Sequence, residues 1–163
     1  ECATMIEESP ESFIARWREH AADVELFPRT EGSPLLEARA GGALVQLFER
    51  TGPYLGRPGP AKVIIHAVTD AVERLEGEAE PGIEVTGLSC FQACGRVVAA
   101  EGRVAVVDAG VPVVVGVLGH VGSPPRLGDT VRFTSRPPAH GFVVVADTPS
   151  VLRRREEHHD DAI

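Results

Sequence analysis

The alternation of apolar and polar residues first predicts a helix near the start of the chain. Ser9 can cap a helix, Pro10 suits its first turn, and Phe13, Trp17 and Ala21 then recur at helical spacing. Pro28 cannot continue such a helix, so the pattern predicts an amphipathic helix of about three turns that ends before it. The turn-rich stretch 28–34 follows and favours a boundary there.

A second apolar stretch, residues 61–75, fits helical spacing over its whole length. Gly77 follows it, as glycine commonly follows a helix. The spacing predicts one central helix from Ala61 to Leu75, with these residues on its apolar face: Val63, Ile64, Ala67, Val68, Ala71, Val72 and Leu75.

The rest of the chain is dominated by short, Val-rich segments separated by glycines. Two precede the predicted central helix, at 35–40 and 43–48, and seven follow Pro81-Gly82. Short strands without helices between them indicate a barrel or sandwich rather than a doubly wound sheet. The predicted fold is therefore mostly β (α+β), a compact barrel with one central helix and an extra N-terminal helix. Its expected parts are a helical extension (1–31), the barrel (32–148) and a frayed tail (149–163).

Charge and cysteine content narrow the function classes. The chain has 16 basic and 24 acidic residues, a net charge of −8, which argues against nucleic-acid binding. No apolar run approaches the roughly 20 residues of a membrane helix, so no membrane role is expected. Three cysteines are too few for a disulfide scaffold and favour a reducing compartment, by default the cytoplasm.

Metal and cofactor motifs do not appear in the sequence. The two common phosphate-binding motifs, Gly-x-x-x-x-Gly-Lys-Ser/Thr and Gly-x-Gly-x-x-Gly, do not occur in the sequence. Lys62 is the only lysine. Cys90 and Cys94 would lie about 13 Å apart on one face of a strand, too far to share a metal or form a disulfide. We therefore expect buried free thiols, no metal site and no cofactor.

The segment 46–60 combines polar side chains with prolines and glycines that keep it extended. It is either an ordinary surface loop or one wall of an anion-binding pocket, since arginine binds carboxylates in a bidentate manner. In the second interpretation, the ligand-binding residues are Gln46, Arg50, Tyr54 and Arg57.

Three residues are candidates for acid–base catalysis. His120 and His140 lie in Gly/Pro-rich turns beside predicted strands, where functional groups are often placed, and Glu49 lies in the 46–60 segment. His66 falls beside the apolar face of the predicted central helix and is expected to be a partly buried structural residue.

The order of several short motifs over residues 35–146 resembles the N-terminal half of the KipA-like family. That family comprises the KipA-type component of 5-oxoprolinase, also described as a biotin-dependent carboxyltransferase component or the second component of allophanate hydrolase. The resemblance rests on Val45-Gln46 with Arg50, Gly52, Gly56 and Pro58, and on the segments 83–86, 97–102, 108–113 and 128–133. It implies a cyclophilin-like barrel, and action together with a KipI-like partner on 5-oxoproline or in carboxyl transfer.

The departures from the family pattern limit what the resemblance implies. Leu47 stands where the family has Asp, Glu49 replaces a Gly, and the family's Ser-Gly-Ala-Met-Asp segment and second half are absent. We therefore expect that this chain does not perform the family's chemistry alone.

Three functions remain open at this point. The first is a domain that binds a small carboxylate- or amide-containing molecule. The second is a stand-alone biosynthetic enzyme that catalyses a cyclisation or ring opening. The third is a non-catalytic subunit that regulates a KipI-like partner, and a homo-oligomer is also compatible with the sequence.

Overall fold

The computed structural model describes residues 9–51, 56–119 and 123–145. Within these residues the chain forms one α-helix, α1 (Pro10–Trp17), continued by a 3-10 turn (Arg18–His20), and eleven strands. The strands are β1 (Ala22–Leu26), β2 (Leu35–Ala40), β3 (Ala43–Glu49), β4 (Gly59–Thr69), β5 (Glu73–Leu75), β6 (Gly82–Gly87), β7 (Cys90–Glu101), β8 (Val104–Asp108), β9 (Pro112–Val117), β10 (Thr130–Thr134) and β11 (Arg136–Val144).

Five of the strands close into a barrel. The order β1-β2-β3-β11-β4 returns to its start because β1 also pairs with β4, over Ala22–Leu26 and residues 59–63. From β4 the sheet continues through β9, β8, β7, β10 and β5, and β6 pairs with β7. Two pairings are parallel, β3 with β11 and β4 with β9. The predicted mostly-β barrel is therefore confirmed.

The predicted central helix from Ala61 to Leu75 is wrong, because this segment forms strand β4 and the short strand β5. Val63, Ile65 and Ala67 face the barrel interior, whereas Ile64 and His66 belong to a second cluster outside it. A strand that is buried on both faces produces a continuous apolar run, which also satisfies helical spacing. The β-branched run 63–65 is the local feature that favours the strand.

The N-terminal helix is confirmed, but it is shorter than predicted. The Ser9 side chain caps it by accepting a hydrogen bond from the Ser12 amide at 3.3 Å. The 3-10 turn ends it at His20, and β1 starts at Ala22, well before Pro28. Residues 22–26, in the region predicted to be a helical extension, are thus a strand of the barrel. The predicted tail, 149–163, lies outside the described residues.

The protein has two apolar cores, one on each face of the sheet. The larger core contains alternate residues of nearly every strand, both in the five-stranded barrel and in the part of the sheet that continues beyond β4. In the smaller core, Phe13 and Trp17 of α1 cover outward-facing side chains of four strands, namely Ile64, Val106, Val114 and Phe142. Helix α1 therefore packs as a cover on the outside of the barrel.

Candidate functional site

Three of the predicted site residues lie on the outer side of the barrel wall, on or beside strands β3 and β11. Along β3, Val45 and Leu47 face the interior, which directs Gln46 and Phe48 outward. His140 was predicted to lie in a turn, but it lies within β11, and the parallel pairing with β3 places it directly opposite Phe48, with ring centroids 6.1 Å apart. Arg50 follows β3 and is held to β11 by a hydrogen bond of 2.9 Å from its amide to the Gly141 carbonyl. The structure thus brings Gln46, Arg50 and His140 into one region.

His66 lies at the inner end of this region. It pairs with His140 across β4 and β11, and the two imidazole centroids are 6.0 Å apart. The Phe13 ring of α1 lies 4.7 Å from it on the other side. Only 2% of His66 is exposed, and its Nε2 has no hydrogen-bond partner among the described residues. Burial, and then electrostatic repulsion by His140 and Arg50, lower the pKa of His66 to about 3, so the ring is neutral at physiological pH.

Sequence reasoning identified His66 but gave it the wrong surroundings. Within a helix it would have touched its own helical neighbours, whereas in β4 its neighbours are His140 and Phe13, which are distant in the sequence. The available signal was a histidine inside an unbroken apolar run, which indicates a buried imidazole in either type of element.

Glu49 lies on the opposite side of the barrel wall from His140. Its carboxylate is buried and forms an ion pair with Arg29, and it accepts a hydrogen bond of 2.9 Å from the Thr51 hydroxyl. Thr51 in turn accepts a hydrogen bond from the Val143 amide at 3.4 Å. The structure therefore separates Glu49 from His140 and places it in an internal polar network.

Arg57 lies in a different place, at a cleft where β4 begins and β11 ends. We call this the Arg57 cleft. Its volume is about 500 Å³, and it is lined by two cationic side chains, one carboxylate and mainly apolar residues: Arg57, Lys62, Asp23, Val24, Pro58, Pro60, Ala61, Val143, Val144 and Val145. The Lys62 ammonium pairs with the Asp23 carboxylate at 2.7 Å, and both groups are largely exposed. The cleft therefore offers positive charge beside an apolar surface.

A second cleft, of about 530 Å³, has a different chemical character. It lies across β6, β7 and β10 and is lined by Glu80, Glu84, Gln92, Cys94 and Arg132, among others. Two carboxylates against one guanidinium make this cleft unsuited to an anionic ligand.

Cys90 and Cys94 share a face of β7, as predicted for a strand, and both are free thiols. They are half-buried and not buried as predicted, and the Cys90 thiol donates a hydrogen bond to the Ser135 carbonyl at 3.1 Å. In the described part of the chain, no three potential metal ligands of the His, Cys, Asp or Glu type lie together.

Tyr54 and His120 lie outside the described residues. Among the residues that are described, no helix has the length and apolar character needed to cross a membrane. Comparison of the chain with family models, with curated proteins and with solved structures finds no match.

Proposed function

We propose that this protein binds a small carboxylate-containing molecule with a compact apolar body in the Arg57 cleft. The observation that carries the proposal is the pairing of an apolar lining with two cationic side chains in a cleft of about 500 Å³. Small-molecule sites typically measure about 300–1,000 Å³ and combine an apolar wall with a few polar groups.

The charges of the cleft favour a carboxylate over other head groups. Arg57 can bind a carboxylate with two parallel hydrogen bonds, and the cleft keeps one net positive charge because Asp23 offsets the charge of Lys62. Asp23 lies beside Lys62 and is available to accept a hydrogen bond from an amide N–H of the same ligand. A cyclic amide that also carries a carboxylate would use all three groups, and the KipA-like resemblance independently suggests 5-oxoproline as such a compound.

Calorimetric titration with three related probes tests this proposal. 5-Oxoproline has both groups, cyclopentanecarboxylate lacks the amide, and 2-pyrrolidinone lacks the carboxylate. We expect binding of the first two and none of the third. Because a hydrogen bond to a charged group is worth about 1.5–3 kcal/mol, Arg57→Gln should weaken binding by at least about tenfold.

Arg136→Gln is the matched control. Arg136 is as exposed as Lys62, 58% for each side chain, and pairs with Asp70 at the opposite end of β11. This variant should bind the carboxylates like the unmodified protein. Equal binding of 2-pyrrolidinone, or unchanged binding by Arg57→Gln, would contradict the proposal.

A catalytic function is the second candidate, and the position of His140 favours it. His140 is half-buried and precedes Gly141, whose carbonyl accepts the hydrogen bond from the Arg50 amide, and a half-buried imidazole near an arginine residue suits proton transfer to or from a bound anion. In this case the substrate lies beside His140 and not in the Arg57 cleft, so His140→Gln should abolish turnover of a cyclic amide while Arg57→Gln retains it. If the unmodified protein shows no turnover and His140→Gln only weakens binding, the catalytic function is contradicted.

A further inference from the structure

Helix α1 covers His66, whose ring is neutral while it stays buried. We propose that protonation of His66 releases α1 from the barrel, so that pH controls whether the apolar surface beneath the helix is covered.

The first argument is how the helix is attached. Phe13 stacks on Phe142 with ring centroids 4.5 Å apart and lies 4.7 Å from His66. Trp17 completes the buried face of α1, 6.5 Å from Phe13. The barrel itself is held by strand pairing, including the pairing of β1 with β4, and α1 contributes no strand to it. The helix can therefore leave while the barrel stays closed.

The second argument is the surroundings of His66. The charges that act on it come from His140 on β11 and from Arg50 after β3, and both are positive or can become so. The residues that α1, β8 and β9 contribute to this core are apolar: Phe13, Trp17, Val106 and Val114. A proton on the buried ring would meet repulsion and no described carboxylate that offsets it, and its Nε2 has no described acceptor.

The charged residues of α1 and its 3-10 turn do not relieve this repulsion. Glu11, Arg16, Arg18 and Glu19 are exposed, and half-buried His20 lies beside Trp17 at 6.3 Å. Swinging α1 away, about the extended residue Ala21, would open His66 to water. That movement would solvate a charged imidazole.

The direction of the effect follows from the proton balance. An exposed histidine has a pKa near 6.5, whereas burial lowers that of His66 in the covered state to about 3. The uncovered state therefore binds a proton that the covered state does not, and it is favoured as the pH falls below 6.5. The equilibrium constant for uncovering should rise by about tenfold per pH unit well below pH 6.5, and by about 25-fold between pH 7 and pH 5.

Trp17 allows a direct test because it is the only tryptophan of the chain. Its fluorescence is recorded between pH 8 and pH 4.5, together with far-UV circular dichroism of the sheet. The His20→Gln background is used to remove quenching by the neighbouring imidazole. We expect the Trp17 emission to shift to the red as the pH falls, at a higher pH than any loss of the sheet signal.

The variant His66→Phe separates the proposal from general acid effects. Phenylalanine cannot be protonated, so in the same background Trp17 should stay buried down to the pH at which the sheet unfolds. A Trp17 transition that is unchanged in His66→Phe, or that coincides with sheet loss in the protein with His66, would overturn the proposal.

Hydrogen exchange gives a second measurement that needs no His66 variant. Protection factors of the α1 amides, corrected for intrinsic exchange, should fall by about 25-fold from pH 7 to pH 5, while those of β4 stay constant. A parallel fall in both elements, or constant protection of α1, would also overturn the proposal.

Discussion

Replacing Glu49 with leucine would test how strongly the internal ion pair stabilises the barrel. In the native protein the Glu49 side chain is 1% exposed and that of Arg29 is 14% exposed. The contact lies in tightly packed surroundings, since a Cβ on Gly56 would come within 2.7 Å of the Arg29 guanidinium and 3.3 Å of the Glu49 carboxylate. The leucine variant would leave the guanidinium in the barrel wall without this carboxylate.

The expected cost follows from the burial of the two partners. Removing one member of a buried pair typically costs about 3–5 kcal/mol, and the partial exposure of Arg29 favours the lower end of that range. Loss of the hydrogen bond from Thr51 adds about 1 kcal/mol. We therefore expect Glu49→Leu to lower the free energy of unfolding by about 4 kcal/mol, a large part of the roughly 5–15 kcal/mol of a typical domain.

Urea unfolding followed by circular dichroism measures this difference. Glu37→Leu, at an exposed position of β2, is the control and should change stability by less than about 1 kcal/mol. The double variant Arg29→Leu/Glu49→Leu should recover at least about 2 kcal/mol relative to Glu49→Leu, because a buried pair replaced by apolar residues is often neutral. A Glu49→Leu variant as stable as the control, or additive effects in the double variant, would refute this account of the pair.

Two further predictions concern the sheet and a surface turn. Gly95→Ala should lower the melting temperature by about 10 °C, since its Cβ would overlap the Asp108 carbonyl group. Gly82→Ala, where a Cβ has open space, should melt within about 2 °C of the native protein, and equal effects of the two substitutions would contradict the steric argument. The hydrogen bond from Arg74, assisted by one from the Arg126 amide, lowers the pKa of Asp129, so this carboxylate stabilises the fold above pH 3.8 and loses that effect as the pH falls through its folded pKa. Arg74→Gln should raise the Asp129 pKa in an NMR titration, and an unchanged midpoint would show that the guanidinium does not set it.

The sequence allowed prediction of a barrel but not of the strand pairs that close it. Period-two alternation is clear in β2 and β3, where one face is buried and the other is exposed. In β4 this alternation is hidden. Helix α1 covers the outward-facing positions 64 and 66, which would otherwise be expected to carry polar residues. Which strands become neighbours depends on contacts between distant residues, and no local pattern encodes the pairing of β1 with β4.

The candidate site was predictable to a similar degree. The close spacing of Gln46 and Arg50 indicated a shared region, and the parallel register of β3 and β11 then added His140. Glu49 faces inward because it continues the alternate positions of Val45 and Leu47 along β3. Alternation alone could therefore have placed its side chain on the opposite face of the strand from Gln46. The Arg57 cleft forms where the pairing of β11 with β4 stops at Val144 while residues 59–61 of β4 stay paired with β1, an arrangement that depends on the register of three strands.

Strand β1, which follows helix α1, has a practical consequence for work with the protein. A shortened chain that starts at residue 32 would lack β1, although the sequence divides naturally there. The peptide groups of β2 and of residues 59–63 that β1 engages would then be free to pair with other molecules. Such a fragment should aggregate, whereas a fragment that starts at residue 21 should keep the barrel intact and simply lack its outer helix.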